Sequence, residues 1–252
     1  MYRRPLLSLV LSYLAACMTP SHAQTSDGKF GVRTEEQLRA QGFFSLIANE
    51  SLDAWAVQPW HEGHWVLRDG VIDYDGRATH NRFQKNTLWT KKKYGDLVLY
   101  AEWRLPQKPA DKPQPIVLFN GDFLLDKDGR RVTRPQPNAG DSGILLRGVQ
   151  KCQANIWCQD LGSGEINGYR TDQSMPQTVR RACIPIKKAD RPLGEWNAFL
   201  ITLKGERMTV ELNAERVIDA ARLPGLPSRG AIGLQHHGDP VQFRNLWALE
   251  LK

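Results

Sequence analysis

The chain lacks most of the signatures by which hydrolases and oxidoreductases are recognised. It has no Gly-x-Ser-x-Gly elbow, no His-Glu-x-x-His pair and no dinucleotide fingerprint. No strand pattern carries two carboxylates on alternating positions, as a retaining glucanase on a sandwich fold needs for its nucleophile and acid. Cysteine is scarce: four in 252 residues, with no zinc-site spacing. No apolar run is long enough to span a bilayer. The formal net charge of +7 is spread along the chain. Its densest run, Lys91-Lys92-Lys93, comes with no nucleic-acid motif, so no nucleic-acid partner is read from it.

The chain opens on what reads as a secretory leader over residues 1–23: Arg3 and Arg4, an apolar core from Leu6 to Ala16, and Ser21-His22-Ala23 as a cleavage site. A lipobox-like Leu14-Ala15-Ala16-Cys17 offers a second reading, in which Cys17 carries a lipid. Either route predicts a periplasmic or secreted protein. Losing the two arginines brings the net charge to +5, and residues 24–252 suffice for one large domain. Residues 24–41 read as a loosely attached arm. If 152–158 is largely one strand, Cys152 and Cys158 lie up to about 20 Å apart, against roughly 7 Å for a disulfide. They therefore do not pair with each other. Either one pairs with Cys183, or all three are buried thiols.

Short alternating segments fill the rest: 65–66, 71–74, 86–89, 96–105, 197–204, 207–212, 215–219, 231–235 and 241–251, punctuated by Asp69-Gly70, Tyr94-Gly95 and Lys204-Gly205. Many short strands with almost no helical period mean an all-β sandwich or jelly roll. Residues 107–140, rich in Pro, Asp and Lys, read as an inserted loop with a small hairpin at Asp128-Gly129.

The central stretch is DSGILLRGVQKCQANIWCQ, residues 141–159, two strands joined near Gly148. Alternation puts Ile144, Leu146, Ala154, Ile156 and Cys158 on a core face. Gly143, Leu145, Arg147, Gln153, Asn155 and Trp157 fall on the other. Amides and a guanidinium beside a flat indole suit a sugar, whose CH faces stack on the ring while its hydroxyls meet the polar groups. Parity on 96–105 buries Leu99 and Trp103 and groups Tyr100 with Glu102. On 230–238 it buries Leu234 and groups Gln235 with His237. All eight polar-face residues are expected on one concave surface: Tyr100, Glu102, Arg147, Gln153, Asn155, Trp157, Gln235 and His237.

In these pieces the chain resembles the 3-keto-disaccharide hydrolase domain family. They are GFFSL and SLDAW in 42–55, WVLRDGVIDYDG at 65–76, LWTKKKYGDLVLYAEWRLP at 88–106 and GDSGILLRG at 140–148. CQANIWCQDLGSGEINGYR at 152–170, GEWNAFLITLKGERMTVELNAERVI at 194–218 and GAIGLQHHGDPVQFRNLWALEL at 230–251 complete the set. The 107–140 insertion and Asp141, where the family often has Asn, are departures. The resemblance implies a concanavalin A-like jelly-roll β-sandwich over residues 42–252. It also implies substrates already oxidised to a ketone at C3 by a separate sugar 3-dehydrogenase.

A C3 ketone acidifies the C2 proton, so one base, one acid and an electrophile near the enolate oxygen suffice for elimination at C1; later water addition gives net hydrolysis. The expected roles are Glu102 and His237 as base and acid, with Arg147 as enolate stabiliser. Asp141, Gln153, Asn155, Tyr169 and Gln235 would hold hydroxyls, Tyr100 would share the binding face, and Trp157 would stack. No cofactor is required. A divalent metal held by Asp141, Glu102 and His237 is the alternative electrophile. A carbohydrate-binding module without catalysis is the alternative function.

Overall fold

The computed structural model describes residues 33–252 apart from Ala78 and Asn81, and leaves the side chains of Asn49 and Phe83 undescribed. The expected leader, the Cys17 lipobox and residues 24–32 of the expected arm lie outside the described residues. Among those described, no helix is long and apolar enough to cross a membrane.

Two antiparallel sheets pack face to face. The larger contains β1 (Phe44–Ser45), β2 (Trp65–Arg68), β3 (Val71–Tyr74), β5 (Leu97–Arg104), β10 (Asn197–Lys204), β11 (Arg207–Leu212), β12 (Glu215–Arg222) and β14 (Val241–Glu250). Its order is β12-β11-β10-β5-β14-β3-β2, with β1 beside the far half of β14. The smaller sheet is β4 (Leu88–Trp89), β13 (Gly233–Leu234), β8 (Ser142–Leu145) and β9 (Gln153–Ile156), in the order β4-β13-β8-β9. Leu97, Leu99, Ala101 and Trp103 from the larger sheet meet Ile144, Ala154, Ile156 and Leu234 from the smaller in one core. Burying one such Leu or Ile is worth roughly 1.5–3 kcal/mol. A one-residue slip of β8 would trade Ile144 for Gly143, so the register is tightly set.

The insertion forms ordered structure. A two-stranded ladder, β6 (Ala110–Pro115) with β7 (Thr133–Asn138), pairs Ala110 with Asn138 and Pro115 with Thr133. An inner bridge, Leu125 to Arg131, closes over the Asp128-Gly129 turn. The strands carry four prolines between them, tolerable because the ladder has no third strand to serve. Two short helices absent from the sequence reading, α2 (Asn167–Arg170) and α3 (Gln177–Ala182), follow β9.

Residues 33–41 are not loosely attached. A short helix, α1 (Glu35–Ala40), starts on a Thr34–Gln37 capping box. It presses the fully buried Leu38 onto the outer face of the larger sheet, against Phe43, Tyr100, Ala198 and Trp247. Cys152, Cys158 and Cys183 are all free and buried, which selects the thiol alternative over pairing. Burial pushes the thiols of Cys152 and Cys183 up to about 12, so both are inert as nucleophiles.

Candidate active site

The outer face of the smaller sheet is built around a glycine. Gly143 pairs with Asn155 across the β8–β9 ladder, and the Gln153 side chain lies flat over it; a Cβ at position 143 would collide with that amide. On the other side of β8, the backbone N–H of Gln235 donates to Gly143 O at 2.9 Å. Gln153 Nε2 donates to Asn155 Oδ1 at 2.5 Å and to Gln235 Oε1 at 2.9 Å. Three amides are thereby locked together, with exposures of 5% for Gln153, 2% for Asn155 and 9% for Gln235. Because Gln153 occupies both neighbouring oxygens, the NH₂ groups of Asn155 and Gln235 are left as the unused donors of the cluster. Trp89, which the sequence reading left unassigned, lies across Gly233 on the same face; a Cβ on Gly233 would sit 2.7 Å from its ring.

Asp141 and His237 stand at the end of this face, where β8 begins and β13 has run out. His237 Nδ1 is 3.5 Å from Asp141 Oδ2, with side-chain exposures of 44% and 26%. Asp141 Oδ1 is enclosed and has no hydrogen-bond partner among the described residues. The main-chain N–H of Asp141 donates to Asp239 Oδ2 at 3.1 Å. Burial first, then the carboxylates of Asp239 and Glu165, push the Asp141 carboxyl well above the usual carboxylate range. His237 is shifted the other way. Although partly exposed, it is crowded enough that desolvation outweighs the attraction of Asp239 and lowers its pKa from 6.5. A carboxyl pushed up and an imidazole pushed down, 3.5 Å apart, both have their charged forms disfavoured at this place.

Glu165 is the residue that face parity missed. Segment 164–165 extends the sheet edge beyond β9: Asn155 N–H donates to Glu165 O at 2.9 Å and Gly164 N–H to Asn155 O at 2.7 Å. Gly164 sits at φ +101° against Val217, so no side chain fits there. The Glu165 carboxyl is fully buried, paired through Oε1 to Arg170 Nε, and its Oε2 has no partner among the described residues. Burial pushes its pKa up to about 7, against the pull of Arg170. One signal was present in the sequence: Glu165 is the only charged residue in LGSGEINGY, residues 161–169.

Four expected site residues lie elsewhere. Tyr100 and Glu102 do share a face, but it is the outer face of the larger sheet, on the far side of both core layers. There Glu102 is enclosed beneath α1 and accepts hydrogen bonds from Tyr100 Oη at 2.8 Å, Arg244 Nε at 2.6 Å and Asn245 Nδ2 at 3.0 Å. A bulge in β14 between Arg244 and Trp247, with Asn245 at φ +48°, aims two of those donors. Arg147 sits at φ +58°, which ends the alternation of β8. Its guanidinium is buried and reaches Asp96 Oδ1 at 2.7 Å, near the β10–β11 turn at Gly205. Tyr169 is a core residue of α2, donating to Pro224 O at 3.1 Å.

The metal set of Asp141, Glu102 and His237 is consequently split. Among the described residues no three His, Cys, Asp or Glu side chains are arranged to hold an ion. Trp157, one residue past the end of β9, also leaves the amide face, its Nε1 donating to Gly162 O at 3.0 Å. Glu102→Gln is expected to leave turnover unchanged and to destabilise the fold by about 1–3 kcal/mol, through the weakened pairing of Arg244. Denaturant unfolding together with a turnover assay separates the two effects.

Two solved structures share this architecture, both provisionally named glycosyl hydrolases from Parabacteroides distasonis. One superposes with a TM-score of 0.53 at 17% identity, over 88% of this chain and 99% of its own. The other gives 0.52 at 22% identity, over 83% and 84% respectively. No curated protein matches the chain significantly. Residues 42–249 match the 3-keto-alpha-glucoside-1,2-lyase-like domain, nearly the whole sandwich. The chain belongs to that family of carbohydrate-active enzymes.

Proposed function

We propose that the protein cleaves glycosides that carry a ketone at C3, by removing the C2 proton and eliminating the C1 substituent, with water addition as a later step. The observation that carries this reading is the Asp141–His237 couple, a carboxyl and an imidazole 3.5 Å apart at the end of an amide-lined face, the first shifted up in pKa and the second down. Neutral His237 accepts the C2 proton. Asp141 gives its proton to the departing glycosidic oxygen. The electron pair of the C2–H bond becomes the C1–C2 double bond, and that of the C1–O bond leaves with the aglycone. Proton exchange afterwards restores both groups.

Charge building on the C3 oxygen needs donors, and the unused NH₂ groups of Asn155 and Gln235 supply them from a face fixed by Gln153. This replaces the role first given to Arg147. A substrate of this kind presupposes a separate sugar 3-dehydrogenase to make the ketone.

The test is a pair of substrates, a 3-keto-glycoside and the same glycoside unoxidised. The expected outcome is aglycone release from the first only. Without the ketone the C2 carbanion has no acceptor. Equal cleavage of both removes the elimination mechanism. Binding of both without cleavage makes the protein a carbohydrate-binding module.

A further inference from the structure

A cleft of about 410 Å³ opens just past the end of β9, and none of the three amides lines it. Trp157 forms one wall, with Gln136, Asp160, Lys188, Asp190 and Arg191 around it. That volume lies within the range of about 300–1,000 Å³ usual for small-molecule pockets. The indole is held rigidly by its Nε1–H bond to Gly162 O, and the Trp157 main-chain N–H donates to Ser163 Oγ at 3.2 Å. A smaller recess shares the walls Trp157, Asp190 and Arg191 and reaches inward to Trp103. Trp103 Nε1 is buried and has no acceptor among the described residues.

Cys158 links the cleft to the segment that ends at Asp141, its thiol lying against the Gly140 carbonyl at 3.6 Å. It also receives the Ala139 N–H at 3.2 Å, and lies close enough to both Asp141 and Asp190 to feel their charge. The chain from Gln136 to Asp141 therefore runs directly from the cleft to the site.

We infer that this cleft is a second subsite, which takes a neutral sugar ring as the leaving group of the substrate, stacked on Trp157. An immobile aromatic wall with polar groups around its rim fits a ring that has an apolar CH face and peripheral hydroxyls. Asp160 is turned to Arg134, outside the cleft, and Asp190 accepts the Ser163 N–H at 3.0 Å. The lining then carries Lys188 and Arg191 against Asp190, so an amino sugar would meet a surplus of like charge there. The identity of the first ring rests on the 3-keto-glycoside reading; the location and ring preference of the second subsite do not.

Two experiments test the subsite. In the first, the wild-type protein is titrated with D-glucose and with D-glucosamine while the Trp157 indole N–H is followed by NMR, assigned through Trp157→Phe. A saturable shift with glucose in the millimolar range, and none with glucosamine, is the expected result. No saturable shift with glucose overturns the subsite, and equal shifts with both overturn the preference for a neutral ring. In the second, Trp157→Ala is compared on a 3-keto-disaccharide with a glucose leaving group and on a methyl 3-keto-glucoside. KM for the disaccharide should rise about tenfold or more, that for the methyl glycoside should stay within about twofold, and Trp157→Phe should recover most of the loss. Equal effects on both substrates, or none on either, overturn the assignment. Should the wild type cleave neither substrate, the 3-keto reading falls and the titration alone decides the subsite.

Discussion

His237→Ala and Asp141→Asn are each expected to lower kcat on a 3-keto-glycoside by about 10²-fold or more, the usual contribution of one general acid or base. In the proposed mechanism both residues act on bonds that change only in the transition state, so KM should move much less than kcat. The pH profile is the sharper readout. His237 must be neutral, so kcat/KM rises with pH through a pKa that burial holds below 6.5. Asp141 must be protonated, so the rate falls as pH passes through a carboxyl pKa held well above its usual range by burial and by Asp239 and Glu165. The profile is a bell between those two values. Asp141→Asn removes the alkaline limb and His237→Ala the acidic one. Wild-type turnover in both variants takes these side chains out of the chemistry.

Alternation along single strands read the core correctly and the site only in part, for a geometrical reason. Parity tells which side chains share a face of one strand; it does not say to which sheet the strand belongs. Leu99 and Trp103 are buried as expected, and Tyr100 and Glu102 do point the other way. In a two-sheet sandwich, however, there are two outer faces, and β5 belongs to the larger sheet. Gln153, Asn155 and Gln235 were grouped correctly because β9 and β13 both flank β8.

Arg147 failed through backbone conformation: its left-handed φ ends the period-two pattern one residue before Gly148, where the turn was expected. Glu165 and Trp89 were missed for a different reason. Glu165 lies in an irregular edge segment where no alternation exists to be read, and Trp89 acquires its place only by lying across Gly233, 144 positions later. The insertion was legible as a break in pattern. Its contact with the core depends on α2 and α3, whose short length leaves little helical periodicity to detect.

Arg170→Met is expected to destabilise the protein by about 3–5 kcal/mol, because it leaves Glu165 buried without its counter-charge. Arg170 is fully buried. It pairs with Glu165, donates to Gly121 O at 3.0 Å and Asn167 Oδ1 at 3.2 Å, and lies 4.6 Å over the Phe123 ring. Arg180 adds a bond to Arg170 O at 2.9 Å and pairs with Asp122. The tip of the insertion is thus fastened to the core through two guanidiniums, Arg170 and Arg180, and proteolysis within 117–125 should accelerate when the first is removed. The double variant Glu165→Leu/Arg170→Met should regain much of the lost stability, since removing both charges also removes their desolvation cost. A loss under about 1 kcal/mol in the single variant, or strictly additive losses in the cycle, would show that the pair is not coupled. The double variant also probes the chemistry. Glu165 is one of the two carboxylates that raise the Asp141 pKa, so its removal should lower that pKa and shift the alkaline limb of kcat/KM toward acid, leaving the acidic limb, set by His237, in place.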